Sequence, residues 1–134
     1  MVSDQGSFGG VRTGELALER TEVGPVVLTI SGEHDLSTAP KLRRQLDALL
    51  DEGKVTIVDL SPATFIDSSI LGVILDGRRR ASDVGTGFEV VQSGGAEAVD
   101  RVLEVTGLRG ELPVHESRED AFTAASENLE APTS

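Results

Sequence analysis

The first third of the chain contains two segments with the short hydrophobic period of β-strands. In ELALERTE, residues 15–22, apolar and polar residues alternate, which is typical of a half-buried strand. The Gly24–Pro25 pair predicts a turn, and VVLTISG, residues 26–32, has the β-branched and apolar residues of a second strand. Two strands joined by a short turn predict an antiparallel hairpin.

A helical period follows in DLSTAPKLRRQLDALLDEG, residues 35–53. Ser37 is the expected N-cap, Pro40 is tolerated in the first turn, and Gly53 is expected to end the helix. The apolar residues of this segment recur on one face and predict its buried side: Ala39, Leu42, Leu46, Leu49 and Leu50.

The rest of the chain alternates between strand patterns and helix patterns. Strands are predicted in residues 54–61, 87–93 and 111–115, and helices in residues 68–80, 95–107 and 117–129. The resulting order, β-β-α-β-α-β-α-β-α, predicts an α/β fold with a mixed, mostly parallel sheet of four to five strands and about four helices. Such sheets usually bind ligands and partners at the carboxyl ends of their strands.

Three local features sharpen this outline. The segment SPATFIDSS, residues 61–69, is predicted to be a loop at a carboxyl end of the sheet. Arginines 78–80 are placed in the last turn of their helix, where cations complement the helix dipole. Residues 1–13 and 128–134 are predicted to be flexible tails around one domain of residues 14–127, as the polar, Gly- and Ser-containing composition of these end segments suggests.

Composition narrows the function classes. The chain has 134 residues, no cysteine and two histidines, so thiolate chemistry is excluded and a multi-histidine metal site is disfavoured. A net charge of −11 and the absence of tryptophan and tyrosine argue against nucleic acid as a partner. No apolar run approaches the roughly 18 residues of a membrane span, and no signal peptide is evident, so a cytoplasmic protein is expected.

The main candidate for a functional site is the tripeptide Asp67, Ser68 and Ser69, which precedes an apolar helix. All three residue types are good N-caps, so a purely structural role explains them. The same helix start favours anions, and a phosphoserine there would add about −1.5 to −2 charges. Local pattern alone leaves a helix cap and a phosphorylation switch both open.

Two enzymatic alternatives for this region are weaker. A nucleophilic Ser68 would need a histidine base, for which only His34 and His115 are available, and the G-x-S-x-G elbow is absent. Asp59 could be a phosphoacceptor like that of a response-regulator receiver. However, the acidic pair and the late lysine of that family are missing, since only Lys41 and Lys54 occur.

No cofactor or metal site is indicated. Glu33, His34 and Asp35 cluster after the second strand, but they are more simply the polar start of a helix, and they offer too few ligands at suitable spacing. Gly94 and Gly95 open a predicted helix without the Gly-Lys-Ser/Thr ending or the G-x-G-x-x-G spacing of a phosphate loop.

Taken together, these segments resemble a STAS domain. VTIVDLSPATFI, residues 55–66, leads into DSSILG, residues 67–72, with SGEHDLSTAP upstream and VLEVTGL downstream. More narrowly, the chain resembles the stand-alone bacterial anti-sigma factor antagonists, from about Gly14 to about Ser126. The family motif Asp-Ser-Ser/Thr-Gly-Leu-Gly corresponds here to Asp67, Ser68, Ser69, Ile70, Leu71 and Gly72.

The resemblance implies a protein-binding switch and not an enzyme. In the family, the unphosphorylated antagonist binds an anti-sigma factor that is a serine kinase, and so frees the sigma factor. Phosphorylation of the serine after the aspartate, here Ser68, ends the interaction, and a metal-dependent serine phosphatase reverses it. The resemblance further implies a partner-binding surface that includes Asp35, Asp67, Ser68, Ser69, Ile70 and Gly72.

One residue departs from the family motif: Ile70 stands where the family has glycine. A β-branched residue adds bulk and stiffness, so we expect it to alter access to Ser68. This departure leaves an alternative open, a non-phosphorylated STAS scaffold or a small-ligand-binding regulatory module.

Overall fold

In a computed structural model of the chain, the structure describes residues 14–20, 24–94, 97–107, 110 and 112–130. Six strands and four helices follow one another along these residues: β1 (Glu15–Glu19), β2 (Val26–His34), α1 (Ala39–Asp51), β3 (Thr56–Asp59), β4 (Ala63–Ile66), α2 (Ser68–Val84), β5 (Phe88–Val91), α3 (Glu97–Val105), β6 (Val114–His115) and α4 (Arg118–Glu130). None of the helices in this part of the chain is long and apolar enough to cross a membrane.

The strands form one mixed sheet in the order β1-β2-β3-β5-β6. Strand β1 is antiparallel to β2, which confirms the predicted hairpin, and the other pairings are parallel. The predicted α/β class with a mostly parallel sheet and four helices is therefore confirmed. Residues 21 and 22, which the first strand prediction included, lie outside the described residues, as do Gly95 and Glu111.

The structure adds one strand that the sequence pattern did not reveal. Residues 61–69 were expected to form a loop, but Ala63–Ile66 form β4, which pairs in parallel with the end of β2. β3 pairs with the first half of β2 and β4 with its second half, on the same side. Four residues with two exposed in the middle carry too weak a period to be distinguished from a loop.

Side chains alternate between the two faces of the sheet and build two cores of unequal size. The larger core joins one face of β2, β3 and β5 to helices α1, α2 and α3. All five predicted inward residues of α1 are buried, and all but Leu49 belong to this core. The smaller cluster, on the opposite face, joins Val27, Ile57 and Val91 to Ala121 of α4.

Several predicted ends of helices shift by up to one turn. Arg78, Arg79 and Arg80 do not form the last turn of α2, because the helix continues to Val84 and ends at Gly85, which has a φ of +80°. Glycine reaches such an angle without strain. Helix α4 extends to Glu130, beyond the predicted domain boundary at residue 127. Residues 1–13 and 131–134 lie outside the described residues.

A single guanidinium fastens α4 to the sheet. Arg118 donates hydrogen bonds to Oδ2 of Asp59 in β3 at 2.7 Å, to Glu19 in β1 at 2.8 Å and to Oγ1 of Thr29 in β2 at 3.0 Å. At the same helix start, Oγ of Ser117 accepts the N–H of Asp120 at 3.0 Å, as an N-cap serine does. The bonds of Arg118 hold the start of α4 against the sheet, and the bond of Ser117 caps the helix there.

Candidate functional site

Helix α2 begins at Ser68, directly after Asp67, which acts as its N-cap. Oδ1 of Asp67 accepts hydrogen bonds from the backbone N–H groups of Ser69 at 3.0 Å and Ile70 at 3.2 Å. The Ser69 hydroxyl donates to the same oxygen at 2.5 Å. These bonds satisfy N–H groups that the first turn of a helix cannot pair internally. The helix-start role expected for this tripeptide is confirmed, with Asp67 as the cap.

Ser68 stands apart from this arrangement. Its side chain is exposed, and its hydroxyl has no hydrogen-bond partner among the described residues. The ring nitrogens of His34 are engaged by Oγ1 of Thr38 and the carbonyl oxygen of Ser31, both at 3.0 Å. His115 contacts Glu89 at 2.8 Å. Neither histidine serves Ser68 as a base, so the geometry offers no support for a serine nucleophile.

A second turn of the same construction lies at the end of β2. Oδ1 of Asp35 accepts the backbone N–H of Ser37 at 2.9 Å and its hydroxyl at 2.6 Å. These two bonds lower the pKa of Asp35 below its ordinary value of 3.8, and the bond from the Ser37 hydroxyl has the larger effect. Ser37 was expected to cap α1, but it is held by Asp35, and the N-cap is Thr38, one residue later.

The pairing of β2 with β4 brings the two turns together. His34 lies opposite Ile66 in this parallel register, so Asp35 and Asp67 follow at the same edge of the sheet. At each turn the residue after the aspartate is exposed: Leu36, with 72% of its surface accessible, and Ser68. We call the residues Asp35, Leu36, Phe65, Asp67 and Ser68 the edge surface.

Apolar side chains accompany the carboxylates on this edge. Phe65, opposite Glu33 in the register, is 41% exposed on β4. Leu36 and Phe65 were not among the predicted partner-binding residues. The signal for Leu36 was present, as an isolated apolar residue between Asp35 and Ser37 in a polar loop. Phe65 could be recognised as exposed only once β4 was known.

The two other predicted partner-binding residues of α2 take different positions. Ile70 is fully buried in the larger core, so its side chain does not add bulk beside Ser68. The extra bulk expected beside Ser68 is therefore absent, because only the backbone of Ile70 belongs to the helix start. That Ile70 alters the access of a kinase to Ser68 stays a prediction. Gly72 is exposed one turn beyond Ser68, and a Cβ atom placed there would meet no atom within 4 Å.

The remaining candidates have structural surroundings. Asp59 is only 5% exposed, and its carboxylate accepts from Arg118 and from the N–H of Ser61. Phosphoryl transfer to either carboxylate oxygen would compete with the hydrogen bond that this oxygen already accepts. His34 is 2% exposed beneath the Asp35 turn, whereas Glu33 and Asp35 are exposed, so the three do not converge. The described residues contain no cluster of His, Cys, Asp or Glu that could hold a metal ion.

With this geometry in view, comparison with known proteins defines the class. The family model described as "Mlab, STAS domain" matches residues 17–114. The chain belongs to the STAS domain family, as its sequence motifs indicated.

The chain is also similar to particular proteins. It is 30% identical over 98 residues to the anti-sigma-B factor antagonist of Listeria monocytogenes, with 69% of this chain and 81% of that protein covered. The crystal structure of an anti-sigma factor antagonist from Mycobacterium paratuberculosis is 30% identical, with a TM-score of 0.76 over 85% of this chain and 95% of that one.

A more distant structure has the same fold. The phosphorylated form of the Bacillus cell fate determinant SpoIIAA matches with a TM-score of 0.62 at 20% identity, over 82% of this chain and 98% of that chain. At this identity the likeness concerns the fold alone.

Proposed function

We propose that this protein is an anti-sigma factor antagonist whose unphosphorylated form binds a kinase-type anti-sigma factor and so releases the sigma factor. The observation that carries the proposal is the exposed, unbonded hydroxyl of Ser68 at the start of α2, on the edge surface. The proteins named above as anti-sigma factor antagonists support the same function. The chain acts as a binding partner and not as an enzyme.

The edge surface has the composition of a protein contact. Leu36 and Phe65 offer apolar area that gains free energy when a partner removes it from water. Asp35 and Asp67 flank them with negative charge, which attracts a partner whose facing surface is basic. Gly72 leaves open space on the neighbouring turn of α2, so a partner can approach the helix backbone closely.

Phosphorylation of Ser68 ends this interaction. The anti-sigma factor kinase transfers the γ-phosphoryl group of ATP to Oγ of Ser68, whose proton leaves with the kinase's base as ADP is released. The phosphate brings about −1.5 to −2 charges next to Asp67 and Asp35. In a docked complex the phosphate would lose its water beside these carboxylates. Placing it there costs far more free energy than leaving it in water on the free protein. A metal-dependent serine phosphatase restores the hydroxyl.

The structure also gives a reason to choose Ser68 over Ser69. The Ser69 hydroxyl is committed to Oδ1 of Asp67, in a bond to a charged acceptor that is stronger than an ordinary one. Phosphorylation at Ser69 would break that bond and place the phosphate against the capping carboxylate. Phosphorylation at Ser68 breaks no such bond and leaves the cap in place, because the Ser68 side chain is exposed and its hydroxyl has no partner among the described residues.

The test is phosphorylation of the purified chain by its anti-sigma factor kinase with ATP, mapped by mass spectrometry. Wild type and Ser69→Ala should carry one phosphate on Ser68, and Ser68→Ala should carry none. Phosphate on another residue would overturn the Ser68 assignment. Stable binding to the kinase without any phosphate transfer would favour the alternative, a STAS scaffold that acts without phosphate chemistry.

A further inference from the structure

A groove lies between the edge strand β1 and helix α1, and it shares no residue with the edge surface. Leu18 of β1, 40% exposed, forms its apolar floor together with Ala48 and Leu49 of α1. The groove encloses about 340 Å³. Arg20 also lines the groove, and it pairs with Glu52 at 3.1 Å. We call this feature the β1–α1 groove.

The rim of the groove is basic in a chain of net charge −11. Lys41 and Arg44 project along it from α1, and both are exposed. Neither has an ion pair or hydrogen bond within the described part of the chain. By contrast, Arg43 on the side of α1 that faces α2 pairs with Asp76 at 3.0 Å. Two unmatched cations therefore face one cleft.

A buried amide oxygen adds an unmet hydrogen bond. Oε1 of Gln45, which lines the groove between Lys41 and Ala48, is shielded from solvent and has no hydrogen-bond partner in the described structure. Buried polar atoms are normally paired, because leaving one unpaired costs free energy. A partner segment that turns the Gln45 side chain toward the groove would pair this oxygen with an N–H group.

The sheet offers main-chain partners beside the same groove. β1 is the terminal strand of the order β1-β2-β3-β5-β6, so its outer edge faces no other strand among the residues that the structure describes. An extended segment can add to such an edge through backbone hydrogen bonds. Its alternate side chains would then face α1, where Leu18 already points.

We propose that the β1–α1 groove binds an extended acidic segment of a partner protein, which adds to β1 as a further strand. Apolar side chains of the segment cover Leu18 and Ala48, and its carboxylates pair with Lys41 and Arg44. The Gln45 side chain turns toward the groove, where its Oε1 accepts a main-chain N–H group. A polypeptide that alternates apolar and acidic residues supplies all three interactions at strand spacing. This inference is independent of the function proposed for Ser68.

The experiment uses the full chain and a fluorescein-labelled peptide of alternating valine and glutamate. Fluorescence polarisation should show saturable binding, whereas the matched valine–lysine peptide should not bind. Arg44→Glu should weaken the affinity about tenfold or more, because one attraction becomes a repulsion. The matched control is Arg101→Glu, an exposed cation of α3 without a partner among the described residues, which should change affinity less than about twofold.

Two further measurements locate the peptide and test strand addition. Amide chemical-shift changes should fall on β1 and on the face of α1 that contains Gln45. Two peptides, each methylated at one of the two alternating sets of backbone nitrogens, should differ: methylating the set that faces β1 should abolish binding, whereas methylating the other set should remove at most the bond to Gln45. Ser68→Glu should bind the peptide as wild type does, which separates this site from the edge surface.

Three results would overturn the proposal. The first is no saturable binding of the valine–glutamate peptide. The second is an equal loss of affinity in Arg44→Glu and Arg101→Glu, which would indicate unspecific attraction. The third is a concentration-dependent dimer that Arg44→Glu dissociates, since this would assign the groove to a second copy of the chain.

Discussion

The turn at Asp35 and the turn at Asp67 are built from the same bonds but present different chemistry. In both, one carboxylate oxygen accepts the N–H and the hydroxyl of a serine two residues later. In both, the residue between them is held outward: a leucine in the first turn and a serine in the second. The comparison shows how one local design, repeated on paired strands, supplies an apolar contact and a modifiable hydroxyl side by side.

The largest expected effect comes from placing charge at the middle of the second turn. Ser68→Glu should lower the affinity for the anti-sigma factor about 100-fold, because a carboxylate would have to be buried among others. Ser68→Ala should stay within about twofold of wild type, since the hydroxyl makes no bond in the chain. Calorimetry would measure both affinities. Equal affinities for the two variants would exclude an electrostatic switch at this position.

The middle of the first turn should contribute through apolar contact. Leu36→Ala should weaken the same complex about tenfold, because a large exposed side chain would no longer be covered by the partner. The unfolding free energy should hardly change. Val105, 78% exposed at the end of α3, provides the matched control as Val105→Ala. If both variants bind alike, the partner does not cover the Asp35 turn.

Removing the aspartate carboxylate should destabilise the protein more at the second turn than at the first. Asp67→Ala should lower the unfolding free energy by about 1 kcal/mol, since it removes the cap of α2. Asp35→Ala should have a smaller effect, because the N-cap of α1 is Thr38, three residues after Asp35, and not Asp35 itself. Urea denaturation of both variants measures the difference. A larger loss for Asp35→Ala would contradict this ranking.

Gly72 tests whether the helix beside the second turn is kept open for a partner. Gly72→Ala should raise the unfolding free energy by roughly 0.5–1 kcal/mol, because alanine is the better helix former and space is available. The affinity for the anti-sigma factor should fall at the same time. A stabilised variant with unchanged affinity would show that the partner does not approach this turn closely.

The smallest effect concerns the Asp35 carboxylate itself. Ser37→Ala removes the largest cause of its lowered pKa, so the pKa of Asp35 should rise toward its ordinary value of 3.8. A lowered pKa stabilises the fold above the unfolded-state value, and this contribution is lost as pH falls through the folded-state value. Carboxyl NMR titration of both proteins measures it. An unchanged pKa in Ser37→Ala would assign the shift to another group.

Much of this arrangement was accessible from the sequence. The apolar period located α1 and its five buried residues, and β-branched runs located the parallel strands, because both signals are repeated several times within an element. Residue type alone predicted an N-cap among Asp67, Ser68 and Ser69 but did not choose between them. The inequivalence of Ser68 and Ser69 came from the family resemblance, and the hydrogen bonds now supply a physical reason for it.

What escaped the sequence depended on contacts between distant residues. β4 exists because β2 is long enough to pair with β3 and then with a second strand, which four residues of ATFI do not signal. The burial of Ile70 depends on which face of α2 packs on the sheet. The motif alone placed Ile70 on the partner-binding surface, whereas its side chain lies in the core. The β1–α1 groove likewise arises where two separate elements meet.

The burial of Ile70 has a consequence for how a phosphate could be sensed. A glycine in the first turn would give the loop several backbone arrangements of similar free energy, among which a phosphate could select one. A buried isoleucine removes that freedom, since each rearrangement would pull its side chain out of the core. We therefore expect the free and phosphorylated chains to populate the same conformer. Phosphorylation would then act by preventing the complex from forming, and not by changing the conformation of the free chain.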